Sequence, residues 1–286
     1  MPGWGGVARK RVLITGATSG IGLAAAIELA RRGAQLTVVA RNEARAGDAV
    51  RQIQSAAGGA AVDVLAADLA SQASVRQLAI DAQARYPRIQ VLINNAGAIY
   101  ARRQLSPDGI ELSWAVNHLA PFLLTTLLLP RLTASAPARI VTTSSDAHQG
   151  AQIPFDDVNA ERSWGGFGFP RYGQTKLANI LFTVELARRL AGTGVTANCF
   201  HPGFVATGFN RNNGILMRVG MAISRPFARS AVKGAQTLVW LVDSEAAGAS
   251  SGEYFFDEHL ATPSVAAQDR EAARRLWQVS EAQVQG

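Results

Sequence analysis

Tyr172 and Lys176 stand four residues apart in the run Arg171-Tyr-Gly-Gln-Thr-Lys-Leu-Ala. The chain has only three lysines, Lys10, Lys176 and Lys233, and four tyrosines, so composition alone does not favour such a pair. The run from Lys176 through Ala187 has helical apolar spacing, and residues i and i+4 share one face of a helix. An ammonium beside a phenol favours the phenolate and makes an acid–base unit. At an effective dielectric near 20, unit charges about 4 Å apart interact by about 4 kcal/mol, nominally about three pKa units towards neutrality. For these two residues taken alone a surface Tyr–Lys pair is the preferred reading, so the elements around them must decide.

Those elements alternate. Runs 11–15, 35–40, 62–67, 90–94, 139–143, 195–200 and 252–256 read as strands. Runs 21–32, 43–57, 71–86, 110–132 and 173–190 read as helices. Strands this uniformly apolar are buried on both faces, as in a parallel sheet covered by helices. The expectation is one doubly wound Rossmann-type α/β domain over residues 1–286, with seven parallel strands and ligands beyond their C-terminal ends. No composition break or repeat divides the chain, and residues 1–8 are expected to be disordered.

Thr15-Gly-Ala-Thr-Ser-Gly-Ile-Gly22 follows the first strand and opens a helix. Glycine allows a tight turn and close backbone approach to a pyrophosphate at a helix N-terminus, which makes Gly16, Thr18, Ser19, Gly20, Ile21 and Gly22 cofactor candidates. A structural β–α turn is the other reading of the same glycines. The second strand ends in Val39-Ala-Arg-Asn42, with no carboxylate for a ribose 2′-hydroxyl. A guanidinium there suits a 2′-phosphate, so Arg41 points to NADP(H) over NAD(H). Asp68 and Leu69, ending the third strand, are placed against an adenine edge, or Asp68 caps the helix that follows.

With these motifs in place, the chain resembles the short-chain dehydrogenase/reductase family over nearly its whole length. Similar to that family are the glycine run and Asn94-Asn-Ala-Gly97. So are Asn117 in Val-Asn-His-Leu-Ala-Pro-Phe, Ser145 in Ile-Val-Thr-Thr-Ser-Ser, Tyr172-x-x-x-Lys176 and His201-Pro-Gly-x-Val-x-Thr207. The runs at 176–182 and 186–196, the terminal Arg275-Leu-Trp-x-x-Ser280 and the extra residues 146–171 look most like the retinol dehydrogenase-like branch. The resemblance implies an NADP(H)-dependent oxidoreductase that reduces a hydrophobic aldehyde or ketone to the alcohol. In it Tyr172 donates the proton, Lys176 holds the nicotinamide ribose and lowers the Tyr172 pKa, Ser145 bonds the carbonyl oxygen, and Asn117 holds a water beside Lys176. It adds Asn95, Ala96, Gly97, Pro202, Val205 and Thr207 to the cofactor contacts. Strand alternation sends Ser144 and Ser145 to opposite sides, and the family pattern selects Ser145.

The same resemblance implies a substrate lid over residues 204–233, whose Phe204, Phe209, Met217, Met221 and Phe227 suit an apolar ligand or, equally, the core packing of two short helices. Phe155, Trp164, Phe167 and Phe169 in the extra segment could form a second wall. A homodimer through the helices bearing Asn117 and Tyr172 is implied, with the extra segment opposing it. A non-catalytic NADP(H)-binding sensor on the same fold is the competing reading, and the complete Asn117–Ser145–Tyr172–Lys176 set argues against it.

Net charge is +7, but the arginines are scattered pairs on helices or loops rather than one patch, which argues against nucleic acid. The single cysteine, Cys199, lies in an apolar strand and excludes an internal disulfide framework. No signal peptide is read at the N-terminus, and Leu119–Pro130 is too short and Pro-bounded to span a bilayer, so no membrane anchor and a cytoplasmic location are expected. His118, His148 and His259 have no carboxylate or Cys partner at ligand spacing, and His201 precedes Pro202, so no metal is assigned.

Overall fold

Along the first strand, β1 (Arg11–Thr15), Val12 and Ile14 face one way and Leu13 the other, and all three are fully buried. Period-two alternation with both faces apolar requires cover on both sides, and the computed structural model shows it. It describes residues 3–205 and 228–285. Helices α1 (Gly20–Arg31), α2 (Glu43–Ala56) and α3 (Gln72–Arg85) follow β1, β2 (Gln35–Ala40) and β3 (Val62–Ala66). Then come β4 (Val91–Asn94), α4 (Leu112–Ala134), β5 (Ala138–Thr143), α5 (Phe169–Arg189) and β6 (Val195–Phe200). The chain closes with α6 (Ala231–Asp243), β7 (Tyr254–Phe256), β8 (His259–Leu260) and α7 (Arg270–Val284).

The sheet runs β3-β2-β1-β4-β5-β6-β7-β8. Its first seven strands pair in parallel; β8 adds two antiparallel residues through a tight turn at Asp257 and Glu258, both at positive φ. Strand order reverses between β1 and β4, which opens the crevice where such sheets bind ligands. On one face α1 and α6 cover Val12, Ile14, Val38, Ile93 and Phe200. On the other, α3, α4, α5 and α7 cover Leu13, Leu92, Ile140 and Cys199.

Two expectations change. Residues 3–8 are packed, not disordered. Trp4 and Val7 are buried, the Val7 N–H donates to Asp243 at 2.7 Å, and the Arg139 guanidinium lies 4.0 Å from the Trp4 ring. That guanidinium reaches past the start of β5 to donate to the Leu241 and Ser244 carbonyls at the end of α6, 2.8 and 2.7 Å away. A cation suits the negative end of a helix, and it gives the terminus a surface to close over. Next, Leu119–Pro130, read as too short and Pro-bounded to span a bilayer, lies inside the helix expected over 110–132, whose 23 residues are long and apolar enough to cross a membrane by length and composition. Here 72% of its most apolar 18-residue window is buried inside the fold.

Helices α6 and α7 stand outside the expected set, α6 beginning at Ala231 within the expected lid. Ser230 caps α6 by accepting the Lys233 N–H at 3.1 Å, and Asp269 caps α7 by accepting from Glu271 and Ala272. Trp277 of α7 meets Phe122 of α4 at 4.9 Å and Phe182 of α5 at 6.0 Å. The two helices implied as a dimer face are thus covered in part by the chain's own C-terminal helix.

Candidate active site

The glycine turn is held from below by Asn95. Its Nδ2 donates to the carbonyls of Thr15 and Gly16 at 3.2 and 3.1 Å, and its Oδ1 accepts from Thr143 Oγ1 at 3.2 Å. Thr15 Oγ1 accepts the N–H groups of Asn95 and Ala96, both at 3.1 Å. Three polar side chains therefore stitch the ends of β1, β4 and β5 together. Gly16 has φ +69°, and a β-carbon there would lie 2.7 Å from Ala96 Cα; one on Gly22 would lie 2.2 Å from the Gly16 carbonyl oxygen. Only glycine fits either place. Ser19 precedes α1 without a side-chain cap bond, so the first N–H groups of the helix keep their donors for an anion.

Gly97 marks where two further candidates, Asn117 and Lys176, meet. A β-carbon on it would sit 3.4 Å from both Asn117 Oδ1 and Lys176 Nζ. Asn117 lies in a π-turn of α4, Ala115–Leu119, a distortion frequent at functional sites. Its carboxamide accepts the Ala98 N–H and donates to the Ala98 carbonyl, both at 2.8 Å, and donates to Thr175 Oγ1 at 3.1 Å. The carboxamide thus clamps the backbone at Ala98.

Lys176 is buried on α5, and its Nζ donates to the Thr143 carbonyl at 3.0 Å. Burial pushes the ammonium down to about 8. Tyr172 is half-buried, with the ammonium 5.4 Å from its ring centre, and its hydroxyl bonds to the Ser145 side chain. Burial raises the phenol above its usual value, and the Ser145 bond opposes this. The expected depression of the phenol by Lys176 is not found: desolvation dominates both groups and favours their neutral forms. Ser145 is partly exposed, whereas Ser144 is buried and donates to the Lys176 carbonyl at 2.8 Å.

Arg41 is exposed just past β2, and Asp68 lies just past β3. Burial raises the phenol of Tyr100 above its usual value; the charge of Arg41 opposes this, and those of Asp68 and Glu111 add to it. Asp68 is not the cap of α3. Ser71 is, accepting the Ser74 N–H at 3.3 Å, while the Asp68 carboxylate accepts the Ala70 N–H. Leu69 packs against the core. A β-carbon on Gly234 of α6 would meet Val205 at 2.7, Ile21 at 3.3 and Pro202 at 3.5 Å, which brings three cofactor candidates to one point. Thr207 and most of the expected lid lie outside the described residues. Of the aromatic wall, Phe155 packs on the core under Arg275, whereas Phe167 and Phe169 are exposed. Among the described residues no three His, Cys, Asp or Glu gather as metal ligands.

The family model of short chain dehydrogenases matches residues 10–215. The chain belongs to that family. Among its relatives, this short-chain dehydrogenase is 43% identical to mouse retinol dehydrogenase 14 over 290 residues, 96% of this chain and 86% of that protein. A solved protein of Mycobacterium paratuberculosis is 33% identical with a TM-score of 0.78, covering 99% and 98% of the two chains. A short chain dehydrogenase from Burkholderia cenocepacia, solved in complex with NADP, is 27% identical with a TM-score of 0.69 over 87% and 96%. The chain is thus of the retinol dehydrogenase-like branch, an oxidoreductase type. The Gly16–Gly22 cradle and the uncapped start of α1 suit the pyrophosphate of a nicotinamide dinucleotide.

Several residues that hold this site were not singled out from sequence. Thr143 offers its carbonyl to Lys176, and Asn179 donates to the same oxygen at 3.3 Å. Glu111 caps α4 through the Ser113 and Trp114 N–H groups while pairing with Arg171 at 2.7 Å. Only Glu111 left a local signal, an acidic residue just before an apolar helix.

Proposed function

We propose that this protein is an NADP(H)-dependent reductase of hydrophobic aldehydes or ketones, working reversibly on the alcohols. The observation that carries the reading is a connected set: Asn117 and Lys176 meet at Gly97, the Tyr172 ring lies beside Lys176, and the Tyr172 hydroxyl bonds to Ser145. When bound, the nicotinamide would supply or accept the hydride. Tyr172, kept protonated by its surroundings, gives its hydroxyl proton to the substrate oxygen as that oxygen gains charge. Ser145, bonded to the phenol, would turn its one hydroxyl proton to the same substrate oxygen when substrate binds, a bond aimed at developing charge. Lys176 would hold the nicotinamide ribose, and Asn117 keeps the 95–98 segment seated under it. Arg41 supports a 2′-phosphate, and the NADP complex of the Burkholderia relative is in keeping with it. The names of the retinol dehydrogenase relatives support an apolar substrate.

The test is cofactor oxidation by absorbance, NADPH beside NADH, over apolar aldehydes and ketones including retinal. Turnover favouring NADPH that disappears in Tyr172→Phe, with the preference reversed in Arg41→Asp, is expected. Firm NADPH binding without turnover of any compound would move the reading to a cofactor sensor.

A further inference from the structure

The turn that carries Ser145 is held by a histidine to which the proposed reaction gives no part. His148 is fully buried beside it. Its backbone N–H and its ring Nδ1 both meet the Ser145 carbonyl oxygen, at 3.2 and 2.7 Å. A carbonyl only accepts, so Nδ1 carries the hydrogen and Nε2 is bare. The Ser264 N–H donates to that bare nitrogen at 3.0 Å from 116 positions further along. Both ring nitrogens are therefore engaged, and their partners assign the tautomer. The Ala147 N–H, in the same turn, donates to Ser145 Oγ at 3.2 Å.

We propose that neutral His148 is a positioning residue for Ser145, fastening its turn to the Ser264 segment so that the serine hydroxyl stays aimed at Tyr172. This rests on the reductase reading of the site. A proton on Nε2 would set two donors against each other and release Ser264. The groups facing the ring are Asp146 on its own turn, His201 beyond β6 and Tyr254 on β7, whose ring lies 5.1 Å away. Burial opposes the cation and prevails over the Ser145 carbonyl bond and Asp146, which favour it, holding the imidazole below its ordinary value of 6.5. The clamp is intact above that range and opens on acidification.

Two measurements on the full chain test this. In nitrogen-15 histidine NMR, the His148 ring should show a protonated Nδ1 and a bare Nε2 at neutral pH. In steady-state kinetics, His148→Phe should lower kcat on the order of tenfold to a hundredfold with NADPH affinity unchanged. His148→Asn, which keeps a donor for the Ser145 carbonyl, should recover part of that loss and move the acid limb of the kcat/KM profile. The opposite tautomer, wild-type kcat in folded His148→Phe, or equal defects in both variants with an unmoved acid limb would each overturn the proposal. Should His148→Phe not fold, the NMR tautomer and His148→Asn decide. A wild-type protein that binds NADPH but turns nothing over sinks the reductase reading, and the tautomer still settles the clamp.

Discussion

Gly173 touches Ala147: a β-carbon on Gly173 would lie 2.5 Å from the Ala147 carbonyl oxygen. Gly173 follows Tyr172 on α5, and Ala147 lies in the turn that carries Ser145. The helix bearing the phenol and the turn bearing the serine therefore meet backbone to backbone, and the Ser145–Tyr172 bond depends on that approach.

Gly173→Ala should separate the two. Alanine improves a helix interior by about 0.5–1 kcal/mol, but overlap with a backbone oxygen outweighs it, for a net loss of about 1–3 kcal/mol. We expect kcat to fall further than NADPH affinity. Thermal unfolding with parallel kinetics checks this; a variant as stable and active as wild type would refute the contact.

Lys176→Met should give a protein that is inactive but more stable. The folded pKa of about 8 lies below the ordinary lysine value of 10.5, so the buried ammonium destabilises the fold at neutral pH. Stability should rise with pH between these values, because the unfolded chain then binds the proton and the folded chain does not. That slope, about 1.4 kcal/mol per pH unit, should vanish in Lys176→Met. Urea unfolding at pH 8, 9 and 10 measures it, and a pH-independent wild type there would contradict it.

Arg171 and Glu111 form an ion pair with side chains only 2% and 0% exposed. Arg171 also lies 4.7 Å from the Trp114 ring, and Glu111 caps the helix bearing Asn117. Arg171→Met strands a buried carboxylate and should cost about 3–5 kcal/mol. Adding Glu111→Gln neutralises that charge while keeping a capping oxygen, so the double variant should be more stable than Arg171→Met. Denaturant midpoints across the cycle would show it; strictly additive losses would not fit.

His118 should make the fold acid-sensitive. It is fully buried among Trp114, Phe122 and Phe182, with Nε2 2.8 Å from Ser280 Oγ, and burial lowers its pKa to about 3. The folded chain keeps it neutral while the unfolded chain protonates below 6.5, so stability falls with pH from there down to about 3. His118→Phe should be less stable at pH 7 by about 1–3 kcal/mol, through Ser280 and Asn179 left unpaired. Its loss on acidification to pH 5 should be shallower than that of wild type. Equal slopes would show that other groups govern acid unfolding.

Sequence alone determined the parts that depend on near neighbours. The seven parallel strands follow from apolar runs, the cradle from Gly16 and Gly22 behind β1, and the shared helix face of Tyr172 and Lys176 from a four-residue spacing. Asp269 before the spaced Ala273, Leu276, Trp277 and Ser280 was an equally local signal for α7. Tertiary structure decided the rest, because desolvation and long-range bonds come from residues far apart in the chain. His118 meets Ser280 across 162 positions and His148 meets Ser264 across 116. Trp4 is buried because Arg139, deep in the middle strand, reaches out to it. Lys176 shows the division most plainly: its place beside Tyr172 is written in the spacing, but whether it carries a charge depends on burial that only the assembled fold creates.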